Sequence, residues 1–387
     1  MSKLPEKLNN KLKKRRHDNA FRQLGNSNLP IDFSSNDYLG FCKSEPVFNA
    51  AHELLKSENI IQNGATGSRL LSGNHLLYDN VETMLCEFHT SEAALIFNSG
   101  YSANLGFFSC IPQRDDIILY DEFIHASIRD GISISHAKSH KFKHNNLTDL
   151  EGHLERIREV SQSQQDIYVV TESIFSMDGD SPDLKALSQL IKKYNAKLIV
   201  DEAHAIGIFG ENGAGLIHEL QLVNDVFARI ITFGKALGSH GAAILCNQDL
   251  KTYLVNFSRP FIYTTALPPH SLATIKIAYE ELALQSTNTT SQIKTLHHNI
   301  RCFISEINRL NLQQLFIKSN SAIHCCVISG NEHIKHIAQE LQNHGFDVKP
   351  ILSPTVPKNK ERLRFCLHSY NSSEEITKVL ELLATFV

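Results

Sequence analysis

Two short apolar runs in this sequence end in residues that can do chemistry. KLIV at 197–200 leads into Asp201-Glu202-Ala203-His204, and RIITF at 229–233 leads into Gly234-Lys235-Ala236-Leu237-Gly238. Taken singly, Asp201 reads as a helix N-cap or an ion-pair partner and Lys235 as a solvated loop lysine. At the ends of neighbouring buried strands, however, an acid and a lysine can face one cavity. A lysine in a desolvated pocket has its ammonium form disfavoured, which prepares it to form a Schiff base. A carboxylate beside a pyridine nitrogen favours the protonated ring, the better electron sink. A third candidate follows ALIF at 94–97, where Asn98-Ser99-Gly100-Tyr101-Ser102-Ala103-Asn104 forms a turn of small residues that should open a helix. Exposed backbone N–H groups and the positive end of the helix dipole make such a turn an anion site, with phosphate the usual guest. The same turn can equally be a tight connection and nothing more.

The elements that must carry these residues are legible as apolar runs alternating with helical patterns: 94–98, 116–120, 167–172, 197–201, 229–233 and 241–245. Runs of this length, rich in Ile and Val, indicate strands buried on both faces, hence an α/β domain with a mostly parallel sheet. Ligands bind beyond the carboxyl ends of such strands, where the polar residues stand. After Pro268-Pro269, the segment 270–312 has few Gly or Pro and predicts a long helix able to link two domains. Beyond it, a strand at 322–329, a helix near 331–344, a strand at 362–367 and a terminal helix predict a smaller α+β unit. Leu4, Leu8 and Leu12 among many charges predict an amphipathic surface helix or a solvated arm.

Composition bounds the function. With 387 residues, 42% of them apolar and 20% charged, the chain can bury a sizeable core in two or three domains. Its 38 Lys plus Arg against 41 Asp plus Glu leave a net charge of −3, so no global field grips nucleic acid. The eight cysteines lack CxxC spacing and suggest neither a metal site nor a disulfide framework; they read as buried thiols in a reducing compartment. A basic N-terminus without a signal-like apolar stretch, and no transmembrane run, predict a cytoplasmic protein with no membrane partner.

Nine motifs in order carry a resemblance: FSSNDYLGF (33–41), GATGSRLLSGN (64–74), FNSGYSAN (97–104), DEFIHASI (121–128), TESIFSMDGD (171–180), VDEAHAIG (200–207), TFGKALG (232–238), IYTTALPP (262–269), and SPTVP with RLRF near 353–365. The chain resembles the α-oxoamine synthases, a branch of the fold-type I enzymes that depend on pyridoxal 5′-phosphate (PLP). The resemblance implies an N-terminal arm and helix over 1–45, a large PLP-binding α/β domain over 46–275 with a mostly parallel seven-stranded sheet, and a small C-terminal α+β domain over 276–387. It implies a homodimer with shared active sites. The activity would be a decarboxylative Claisen condensation of an amino acid, such as L-alanine, with an acyl thioester, such as a pimeloyl group on coenzyme A or a carrier protein.

Position by position, the resemblance makes Lys235 the residue that holds PLP and takes the Cα proton, and pairs Asp201 with the pyridinium nitrogen. His204 and Ser176 fall near the phenolic oxygen, and His125 stacks on the ring. Gly100, Tyr101 and Thr232 would hold the phosphate, which Thr264 and Thr265 reach from a partner subunit. Asn36 and Arg22 fall where the family meets substrate, Arg22 near the distal carboxylate of a pimeloyl chain. Two departures stand out. Leu352 occupies the place of the arginine that clamps the substrate carboxylate, and Ala205-Ile206 replace a smaller, more polar turn. Arg362 and Arg364, alternating along a strand, are the candidate replacements, with Arg364 favoured; otherwise they line a solvated face. Other amino acids or acyl donors, and a PLP-binding protein without catalysis, remain open.

Overall fold

A computed structural model describes residues 4–22, 24, 30–160, 165–285 and 291–387. It contains strands β1 (Ile31–Asp32), β2 (Ala93–Phe97), β3 (Ile117–Asp121), β4 (Lys138–Phe142), β5 (Ile167–Glu172), β6 (Lys197–Asp201), β7 (Ala228–Thr232), β8 (Ala242–Cys246), β9 (Ile323–Val327), β10 (Phe346–Asp347), β11 (Lys349–Ile351) and β12 (Arg362–Cys366). The chain divides into two compact units, one of residues 37–176 and 181–294, the other of residues 1–36, 177–180 and 295–387.

The larger unit is built on a seven-stranded sheet in the order β2-β8-β7-β6-β5-β3-β4. Strands β3 to β7 run parallel, and β8 is antiparallel to both neighbours, β2 and β7. Every residue of β2, β5 and β8 is buried, which is why these strands read as unbroken apolar runs rather than alternating ones. Phe97, Phe107 and Phe108 anchor the core on one side of this sheet. Each such ring taken out of water contributes about 1.5–3 kcal/mol. Strand β4 escaped the sequence pattern for the opposite reason: it is a sheet edge, KSHKF, with four exposed residues and two lysines.

The smaller unit holds an antiparallel sheet β11-β12-β9 and a parallel pair β1-β10. Helix Ser373–Ala384 closes the chain with a capping box between Ser372 and Glu375. The N-terminal helix forms over Glu6–His17, yet it buries no residue, and Leu8 and Leu12 stay exposed. The expected single helix over 270–312 is two, Pro269–Leu284 and Gln292–Arg309. The thiols are less uniformly buried than their spacing implied: Cys42 is exposed, and Cys86, Cys110 and Cys302 are half-buried. Among the described residues no helix is long and apolar enough to cross a membrane.

Candidate active site

Parallel pairing brings the carboxyl ends of β5, β6 and β7 side by side, so Glu172, Asp201 and the residues after Thr232 emerge at one edge of the sheet. The segment after β6 turns back at Gly207, whose φ of +79° and whose approach to Ala236 leave no room for a side chain; a Cβ there would lie 2.5 Å from that of Ala236. This close approach sets the His204 turn against the Lys235 turn. Lys235 Nζ lies 2.5 Å from His204 Nε2, and the other ring nitrogen, Nδ1, is 2.7 Å from the hydroxyl of Tyr38. When Tyr38 donates to Nδ1, His204 carries its proton on Nε2 and donates to an uncharged lysine amine. The reverse tautomer accepts from the lysine ammonium and donates to Tyr38. The pair of contacts therefore accommodates both protonation states of Lys235 without stranding a buried donor.

Asp201 is buried, and each of its carboxylate oxygens accepts one hydrogen bond: Oδ1 from the Ala203 N–H at 2.9 Å and Oδ2 from the Asn104 amide at 2.8 Å. A carboxylate has about four lone-pair directions, so both oxygens keep capacity for a further donor. Asn104 also donates to Ser127 at 3.1 Å, while its own Oδ1 is buried with no partner among the described residues. Ser127 in turn meets His125 Nδ1 at 2.8 Å. The His125 backbone N–H donates to Glu172 at 2.6 Å. Burial, and then the charge of its register neighbour Asp201, push the Glu172 carboxyl well above the usual carboxylate range. Desolvation draws the His125 pKa down, with Asp201 opposing and Lys235 adding to the shift, so the imidazole is neutral at pH 7. Its residue is exposed, leaving the ring open to a planar partner.

The anion cradle lies at helix Gly100–Cys110. Ser99 caps it, its hydroxyl accepting from the Ser102 N–H at 3.1 Å. The N–H groups of Gly100 and Tyr101 precede the first intrahelical bonds and stay available. A Cβ on Gly100 would meet only Thr232, at 3.8 Å, so glycine keeps open a space that the Thr232 hydroxyl also borders. Asn98 reaches the Thr265 carbonyl at 2.7 Å and the Thr264 hydroxyl at 3.5 Å, setting both threonines beside this turn within the same chain. Tyr101 donates its hydroxyl to Asp130. Ser176 is half-buried, four residues beyond the end of β5.

A lysine, a buried carboxylate, an open imidazole and a phosphate-sized cradle, all at one sheet edge, match the chemical groups of PLP in kind. Tyr38, Asn104, Ser127 and Glu172 were not singled out from the sequence as site residues. Asn104 had a signal, an amide inside the otherwise small and apolar helix GYSANLGFFSC, where burial demands a polar partner.

The remaining expected residues belong to the smaller unit. Arg362 and Arg364 are buried on β12, not solvated. Arg362 is taken up by Asp178 and by the carbonyls of Met177 and Lys360. Arg364 Nη2 donates to Asn36 Oδ1 at 2.9 Å, which brings two of the three expected substrate residues together. Arg22 stands apart, exposed, with Nη2 3.2 Å from the Thr355 hydroxyl. Leu352 directly follows β11 and is half-buried.

The chain matches the class I and II aminotransferase family over residues 30–383. It is 38% identical over 373 residues to the 8-amino-7-oxononanoate synthase of Emericella nidulans, covering 92% of this chain and 89% of that protein. Among solved structures, SPT with a PLP internal aldimine superposes with a TM-score of 0.87 at 26% identity, covering 98% of this chain and 96% of the other. The 8-amino-7-oxononanoate synthase of Francisella tularensis gives 0.75 at 28% identity, covering 92% and 97%. PLP is the cofactor, and the fold is that of the fold-type I enzymes. The strand-end lysine and acid, the nine motifs in order and these likenesses lead to one statement: the chain belongs to the class I and II aminotransferase family and, within it, to the α-oxoamine synthases, PLP-dependent acyltransferases.

Proposed function

We propose that this enzyme joins L-alanine to a pimeloyl thioester, giving 8-amino-7-oxononanoate, carbon dioxide and the free thiol carrier, as a step of biotin biosynthesis. The observation that carries the reading is the Tyr38–His204–Lys235 chain at 2.7 and 2.5 Å, a lysine amine whose proton has a neighbour to go to. PLP, when bound, supplies the electron sink for charge at the amino acid Cα. Lys235 would hold the cofactor through Nζ and would serve as the general base for the Cα proton, with His204 Nε2 placed to adjust its charge. Asp201, kept in place by Asn104 and Ala203, would pair with the ring nitrogen. His125 would lie against the ring. Gly100, Tyr101 and Thr232 would bind the phosphate, with Ser176 on the side of the phenolic oxygen.

Arg364, steadied by Asn36, meets the substrate α-carboxylate in place of the arginine absent at Leu352. Arg22 meets the far carboxylate of the pimeloyl chain. Bond formation from Cα to the acyl carbon expels the thiolate, loss of the α-carboxylate as carbon dioxide leaves its electron pair at Cα, and return of the proton from Lys235 to Cα completes the exchange. The names of the relatives at 38% identity support the choice of acyl group. Two copies of the chain form a dimer with shared active sites, in which Thr264 and Thr265, beside the Gly100 turn of their own chain, also reach the neighbour's phosphate. The test is product formation from L-alanine, glycine and L-serine, each with pimeloyl-, acetyl- and palmitoyl-CoA. L-alanine with the pimeloyl thioester should give the highest kcat/KM; a preference for serine with the palmitoyl donor overturns the assignment.

A further inference from the structure

Thr264 and Thr265 sit on a stretch of the larger unit that has little regular structure of its own. Residues 265–268 belong to no helix or strand, and Thr265 is exposed. No ladder of backbone bonds holds the threonines, so single contacts from other elements must do it. Asn98 supplies one, at the Thr265 carbonyl. The Gly67 carbonyl supplies a second, accepting the Ala266 N–H at 3.0 Å. The Tyr78 hydroxyl supplies a third, accepting the Leu267 N–H at 2.8 Å.

Tyr78, on helix Leu76–His89, is itself held by Arg69. The guanidinium lies 3.9 Å from the centre of the Tyr78 ring and 5.5 Å from that of Phe261, while Nε donates to Asn74 Oδ1 at 2.9 Å and Nη1 to Glu82 Oε1 at 2.5 Å. Glu82 is buried, and its carboxylate also takes the Ile96 N–H at 3.0 Å and Lys251 Nζ at 2.7 Å. Since Lys251 already gives this carboxylate a cation, charge balance alone does not call for an arginine at 69. A planar guanidinium adds geometry: it covers a ring while its edge donates to Glu82 and Asn74 together, which an ammonium cannot do. Ile96 stands on β2, two residues before Asn98, so the same cluster steadies the threonine segment from both sides.

We propose that Arg69 is a positioning residue for the cofactor's phosphate: by holding Tyr78 against Leu267 it fixes the segment 264–267, so that Thr264 and Thr265 stand where they meet the phosphate. Arg69 touches neither threonine and acts through Tyr78 alone. A ligand that finds its donors already in place spends less of its binding free energy on ordering them, and that preorganisation is what the clamp contributes. The inference rests on the reading of Thr264 and Thr265 as phosphate ligands, but not on which amino acid or acyl group the enzyme joins.

The test compares binding of PLP with binding of pyridoxal, the same ring without the phosphate, to the full-length enzyme freed of cofactor and followed by visible absorbance. Arg69→Lys, which keeps the charge beside Glu82, and Tyr78→Phe, which keeps the ring, should each weaken PLP about tenfold and pyridoxal less than about twofold. Thr264→Ala/Thr265→Ala should show the same selectivity. A role confined to stability would weaken both ligands together, or lower the Tm and leave both affinities alone; either result overturns the proposal. Tyr78→Phe removes a single hydroxyl and decides the matter if Arg69→Lys does not fold. If the threonine pair changes the ratio of the two affinities and Tyr78→Phe does not, the clamp is wrong and the threonine reading stands. If the threonine pair leaves the ratio unchanged, both fall.

Discussion

The sheet edge around Lys235 and the strand carrying Arg362 and Arg364 handle charge in opposite ways. At the sheet edge, Asp201, Asn104, Ser127, His125 and Glu172 are bonded to one another, yet Asp201 and Asn104 both retain acceptor capacity. On β12, two buried arginines stand two residues apart. One is spent on the Asp178 carboxylate, while the other donates to the amide oxygen of Asn36. The two arginines thus differ in kind of contact, an ion pair for Arg362 and a bond to a neutral amide for Arg364.

Four experiments press on this division. The largest effect belongs to Lys235→Ala, which should lower turnover about a thousandfold or more while borohydride no longer fixes the cofactor to the chain. Turnover within tenfold of the parent would strip Lys235 of its role. Next, Arg362→Ala takes the guanidinium away from the buried Asp178 carboxylate, and should cost about 3–5 kcal/mol in chemical denaturation. If the loss is under 1 kcal/mol, the pair is not structural. Third, Arg364→Ala should raise the KM for the amino acid by one to two decades with little change in stability, the scale of losing about 1.5–3 kcal/mol of charged hydrogen bonding. Leu352→Arg should lower that KM if the present pocket is a weakened form of the family clamp.

The smallest effect is a pH dependence in the smaller unit. Burial of Asp32 works against its carboxylate, but hydrogen bonds from Ser35 and Ser34 prevail and hold its pKa at about 2, below the ordinary 3.8. A depressed folded-state pKa gives stability that is fully present above about pH 4 and lost as pH falls toward 2. The contribution is about 1–2 kcal/mol after allowance for partial exposure. Asp32→Asn should remove it at pH 7, and the two proteins should converge in denaturation midpoint near pH 2. Curves that stay parallel throughout would show that Asp32 carries no such linkage.

Much of this was readable in the sequence because buried parallel strands advertise themselves. The runs ending at Asp201 and before Lys235 became β6 and β7, and the polar residues after them stand at the sheet edge as expected. Strand β4 was not readable, since an exposed edge needs no apolar pattern. Nor was the break between Pro269–Leu284 and Gln292–Arg309, because neither helix is interrupted by Gly or Pro within the pattern. Among site residues, the chemistry-bearing types announced themselves, whereas Asn104 and Glu172 act through partners about 97 and 47 residues away in sequence, at Asp201 and His125. The fate of Arg362 was hidden for the same reason: its carboxylate, Asp178, comes from a segment 184 residues earlier.

The position of β8 has a consequence for synthesis. Strand β2, which leads directly into the Gly100 cradle, bonds within the sheet only to β8, whose first residue is made about 145 residues after Phe97. At a ribosomal pace of about 5–20 residues per second, β2 spends roughly 7 to 30 seconds as an apolar strand with no strand partner. A nascent chain stopped after Lys235 but before Ala242 would hold the lysine and the acid while lacking the strand that ties the phosphate turn to them. Cofactor loading therefore belongs to the last stage of making the larger unit, and chaperones that shelter apolar strands should find their client in chains interrupted between these two points.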